Sequence, residues 1–92
     1  MRIVDGGKLE ASSEKHPPAK SPLSRWQGLT AQANWKNPIE MKQTFGSADI
    51  VGALTIFNIG GNKYRLIAVI NYSLKLVLVQ DVLTHSEYAQ EI

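Results

Sequence analysis

Ninety-two residues, 43% of them hydrophobic, are enough for one domain spanning residues 1–92 around a single modest core. The absence of cysteine excludes a disulfide framework and a thiolate metal site, and it suits a reducing cytosol. Ten Lys and Arg against eight Asp and Glu leave a net charge of +2, so any nucleic-acid site must gather its positive charge locally.

Arg2-Ile3-Val4 predicts a short strand ended by the turn Asp5-Gly6-Gly7. Lys8 to Lys15 predicts a short helix, stopped by His16-Pro17-Pro18 because proline disfavours helix in the residue before it. Ser21 as N-cap and Pro22 at the first helical position predict a second helix, with Leu23, Trp26, Leu29 or Thr30, and Ala33 as its apolar stripe. Asn37-Pro38 ends that helix, and Pro38 to Phe45 predicts one more short helical turn. Gly46 to Ala53 reads as a loop.

The period then switches. Leu54 to Ile59 predicts a strand, Gly60-Gly61-Asn62-Lys63 a hairpin turn, and Tyr64 to Tyr72 a central strand apolar on both faces. Ser73 turns the chain into a further strand from Leu74 to Val82, and Thr84 starts a last helix running to the C-terminus. The order β-α-α-β-β-β-α predicts an α+β fold with helices packed on one face of a small, twisted, mainly antiparallel sheet. The apolar-rich stretch Leu66 to Val82 is interrupted by Asn71, Ser73, Lys75 and Gln80, short of the roughly 20 apolar residues of a membrane span. The opening MRIVDGGKLE also lacks the apolar region of a signal peptide, so a soluble, cytoplasmic protein is expected.

The chemistry concentrates near the end of the sheet. Thr84-His85-Ser86-Glu87 fits a capping box, with Leu83 and Tyr88 spaced for a hydrophobic staple. That geometry is compatible with plain packing of Tyr88 and a solvated His85. It equally suits an imidazole working beside a phosphate, since helix N-termini attract anions. Arg65, on an otherwise apolar strand face, reads as paired with a carboxylate, lying at a sheet edge, or offering its planar fork to a phosphate. Gly60-Gly61-Asn62 lacks the lysine spacing and following helix of a phosphate-binding loop. Trp26 and Trp35 read as core or half-buried. His16 and His85 have no partners at metal-ligand spacing, so no metal and no cofactor is expected.

Several segments resemble the HigB branch of the RelE/ParE toxins. They are Trp35-Lys36-Asn37-Pro38, Phe45, Asp49-Ile50-Val51-Gly52, the run Phe57 to Leu66, and Thr84-His85-Ser86-Glu87-Tyr88. The resemblance implies a compact RelE-like fold and ribosome-dependent cleavage of mRNA by attack of a 2′-hydroxyl on its adjacent phosphate. It also implies a HigA-type helix-turn-helix antitoxin, through which alone operator DNA would be contacted. On this basis Arg65 stabilises transition-state charge, His85 serves as acid or base, and Tyr88 assists or stacks on a base. Lys36, Lys42 and Lys63 are then candidates for RNA contacts, with Asn62 mainly setting the turn. The rival expectations are a non-enzymatic relative that poisons a protein such as gyrase, and a degenerate chain that only binds an antitoxin.

Overall fold

The computed structural model describes residues 1–91. In chain order the elements are β1 (Arg2–Val4), α1 (Lys8–Lys15), a 3-10 turn (Pro17–Ala19), α2 (Lys20–Gln32) and α3 (Pro38–Thr44). They continue with β2 (Asp49–Val51), β3 (Leu54–Ile59), β4 (Tyr64–Asn71), β5 (Leu76–Thr84) and α4 (His85–Glu91). The strands form one sheet in the order β1-β5-β4-β3-β2, in which β1 runs parallel to β5 and every other pairing is antiparallel. The expected α+β architecture is therefore present, with β4 at its centre. The expectation that the last helix runs to the C-terminus holds through Glu91, and Ile92 lies outside the described residues.

Along β4, Tyr64, Leu66 and Ala68 are buried while Arg65, Ile67 and Val69 are only partly so. The buried set faces α1 and α2, whose Leu9, Leu23 and Trp26 join Phe57, Leu66 and Val77 in the core. Edge-to-face aromatic pairs run through it, with Trp26 and Phe57 at 5.3 Å, Phe57 and Phe45 at 5.2 Å, and Phe45 and Trp35 at 5.8 Å between ring centroids. The helical stripe passes through Thr30, which is fully buried, and leaves Leu29 on the surface.

Three predicted segments differ. The second helix stops at Gln32, ahead of the expected Asn37-Pro38, because the chain is already extended at Ala33. The expected loop Gly46 to Ala53 contains β2, which pairs with β3 through Ile50 opposite Thr55. Asp49, Ile50 and Val51 are all exposed, so this edge strand rests on backbone pairing and carries no alternation that a sequence pattern could register. The second helix begins at Lys20, one residue before the expected cap. It continues directly from the 3-10 turn at the Pro17-Pro18 pair, with no side-chain cap. Pro22 falls in the first turn, where a backbone N–H would lack an intrahelical partner in any case.

A bulge in β5 positions the site. Ile67 pairs with Asp81 but Ala68 pairs with Val79, leaving Gln80 unpaired. Before the bulge Val77 and Val79 face the core, and beyond it Val82 does. The change of parity sets Leu83 beside Arg65 on the sheet face opposite α1 and α2. On that face Ile56, Ile67, Leu83 and Tyr88 line a cavity of about 240 Å³. Tyr88 thus brings α4 over the face that α1 and α2 leave open.

Candidate active site

Arg65 is the second residue of β4, paired with Asn58 on one side and Leu83 on the other. Its Nη1 donates to the Tyr64 carbonyl at 3.2 Å, and its Nη2 lies 3.3 Å from His85 Nδ1. The guanidinium carbon sits 5.7 Å from the centroid of the Tyr88 ring, within cation–π range. Because His85 and Tyr88 are three residues apart, one helical face presents both to the same arginine.

The backbone holds this group in place. His85 N–H donates to the Lys63 carbonyl at 2.9 Å, tying the start of α4 to the β3–β4 turn. The capping box forms as expected, with Thr84 N–H donating to Glu87 Oε1 at 2.8 Å and Glu87 N–H to Thr84 Oγ1 at 3.2 Å. The backbone and side-chain bonds from Thr84 hold the Glu87 carboxyl below its usual range, and the charges of Lys15 and His16 act in the same direction. Gly60 and Gly61 take φ of +63° and +69°, which lets the turn close next to the site.

A guanidinium has five donors and no acceptor. The contact with Arg65 therefore makes His85 Nδ1 the acceptor, and the hydrogen of the neutral ring resides on Nε2. His85 is exposed, so that N–H faces solvent and any incoming ligand.

Lys63 and Asn62, both exposed, lie in the turn beside this group. Lys36 does not. The carbonyl of the preceding Trp35 accepts from Lys75 Nζ at 2.8 Å, at the other end of the β4–β5 pair. Six residues of extended strand separate that end from Arg65, roughly 20 Å. Lys42 is exposed in the last turn of α3, with no hydrogen bond to the Arg65 group among the described residues. Trp26 and Trp35 are buried in the core.

Two residues reach this end of the sheet without having been singled out for it. The His16 ring lies 5.6 Å from that of Tyr64, whose strand partner is Thr84, and Lys15 and His16 are near enough for their charges to act on Glu87. In the sequence His16 marked only a helix stop, and nothing local reveals a contact spanning nearly fifty residues. Among the described residues no group of three His, Cys, Asp or Glu could hold a metal ion, and no helix is long and apolar enough to cross a membrane.

The profile of the HigB toxin family, described as the RelE-like toxic component of a toxin–antitoxin system, matches residues 19–91. This chain belongs to the HigB toxin family. Membership in a toxin–antitoxin family implies an antitoxin as partner. The chain is 30% identical over 91 residues to the mRNA interferase toxin HigB of Escherichia coli (strain K12), covering 96% of this chain and 88% of that protein. The same figures hold for the mRNA interferase HigB of Shigella flexneri. The mRNA interferase HigB of Escherichia coli O6:H1 is 26% identical over the same shares. The HigB family match includes Arg65, His85 and Tyr88, whereas Lys15 and His16 lie just before its first matched residue.

Proposed function

We propose that this HigB-family chain is an mRNA endoribonuclease, the toxin of a toxin–antitoxin pair, acting in the cytoplasm on ribosome-bound mRNA. A HigA-type antitoxin that carries the contact with operator DNA completes the pair. The observation that carries this reading is the Arg65–His85 contact, which joins a charge for a phosphate to an N–H donor at an exposed helix start. The names of the relatives supply the substrate class.

In the reaction the RNA 2′-hydroxyl loses its proton and its oxygen attacks the adjacent phosphorus. The bond from phosphorus to the 5′-oxygen breaks, that oxygen takes up a proton, and a 2′,3′-cyclic phosphate and a 5′-hydroxyl result. Arg65 bonds to Tyr64 and His85 through two of its five N–H groups, leaving the others for the phosphoryl oxygens as negative charge builds. His85, with Nδ1 occupied, enters from the donor side through its Nε2–H. Tyr88 packs against Arg65 and offers its ring or phenol to the neighbouring nucleotide. The need for a 2′-hydroxyl makes RNA the substrate and DNA inert.

The test is induction of the chain in a bacterial host with mapping of new mRNA 5′ ends, beside an Arg65→Ala/His85→Ala variant. New ends inside translated frames are expected, and the variant should form them at least about 10²-fold more slowly, the scale of losing one preorganised charge-stabilising donor. Growth arrest with intact mRNA would redirect the reading to a protein target such as gyrase. Neither arrest nor cleavage would leave a chain that only binds an antitoxin.

A further inference from the structure

We propose that Lys15 and His16, at the end of α1, extend the RNA site around the end of the sheet and hold the nucleotides next to the scissile phosphate. This inference rests on the reading of the chain as an mRNA endoribonuclease. It assigns Lys15 to a backbone phosphate and the His16 ring to stacking on a base.

Three observations place these residues. The His16 ring lies 5.6 Å from Tyr64, which neighbours Arg65 in β4 but points to the opposite sheet face. Tyr64 pairs with Thr84, the residue that caps α4. Glu87, bonded to Thr84, feels the charges of Lys15 and His16. One side of the first turn of α4 therefore carries His85 and Tyr88 with Arg65, and His16 reaches the same turn through Tyr64, the strand partner of Thr84. A single strand crossing the start of α4 meets both groups.

The charge balance points the same way. A chain with a net charge of only +2 brings the cations Lys15, Lys63 and Arg65, together with the His16 and His85 rings, to one end of its sheet. One carboxylate beside them, Glu87, spends its hydrogen-bonding on the N-cap of α4. Lys15 is exposed and His16 partly so. Flat contact between an aromatic side chain and an unpaired base is the usual grip on single-stranded RNA, and lysines beside it neutralise phosphates.

The experiment measures binding of purified protein to a fluorescent, single-stranded 2′-O-methyl RNA, which cannot be cleaved, across a salt series. Lys15→Gln should make the dependence of log affinity on log salt shallower by about 0.7, the share of one phosphate contact. His16→Ala should weaken binding at least about fivefold, within the range of one lost stacking contact, and His16→Phe should restore it. Arg2→Gln, at the far end of β5, should change neither quantity. A Lys15→Gln slope unchanged from wild type together with a His16→Ala affinity within twofold of it would overturn the proposal, as would wild-type protein with no affinity for this RNA. Cleavage of cellular mRNA by the wild type under those results would show that the ribonuclease reading stands and only the extended site is lost.

Discussion

Arg65 illustrates what one residue discloses in sequence and what it withholds. A guanidinium on an apolar strand announces that something must satisfy it, and a carboxylate, a phosphate or solvent at a sheet edge is equally compatible with that. In the fold the partner is an imidazole twenty residues further on, because β5 returns antiparallel to β4 and delivers the start of α4 to the same corner. The consequence for His85 is measurable without any RNA. Long-range nitrogen NMR of the neutral ring should show Nδ1 unprotonated and Nε2 protonated, and Arg65→Ala should remove that preference. A predominant Nδ1–H form in the wild type would contradict the donor-side role. His16 is the opposite case, since its own neighbourhood reads only as the stop before two prolines.

Among the elements, α4 was readable because its signal is local. Thr84 and Glu87 bond reciprocally as the capping-box spacing predicts, and that box orients His85 and Tyr88. Its electrostatics give a pH-dependent prediction. The folded-state pKa of Glu87 lies below its ordinary 4.5, so the stabilisation it brings is present above that value and is lost as pH falls through the lower folded one. Glu87→Gln should therefore lower the melting temperature near neutrality, with the difference from wild type closing as pH drops below that window. A difference that persists unchanged in acid would show that the carboxylate charge has no part in the cap. Strand β2 and the bulge at Gln80 lay beyond local reading for different reasons. The first has no buried face, and the second is a pairing irregularity visible only when two strands are laid side by side.

The molecule as a whole depends on a small core through which aromatic rings are linked from α2 to the segment before α3. Trp26 is fully buried against Phe57, so Trp26→Ala should cost about 3–5 kcal/mol. Against the ordinary 5–15 kcal/mol of a folded domain, that loss should leave the chain close to unfolding. Denaturant titration checks it, and a loss under about 1 kcal/mol would show that the aromatic chain is dispensable. Substitutions at Arg65 or His85, which are not in this core, should by contrast leave the transition near its wild-type position.

By itself the sequence determined the number and kind of the main elements, the central place of β4, the capping box and the candidates Arg65, His85 and Tyr88. The elements and the capping box are written in a periodicity or a short spacing, because neighbouring residues meet through local geometry. Arg65, His85 and Tyr88, by contrast, were singled out as a site by the resemblance to the HigB toxins. Tertiary structure alone decided that Arg65 meets His85, that the Trp35 carbonyl before Lys36 is held by Lys75 at the other end of the β4–β5 pair, and that His16 arrives at the site's end. Such contacts depend on strand register, on one bulge and on where α1 packs across the sheet. Those are set by the fit of the whole core and are encoded in no single stretch of chain.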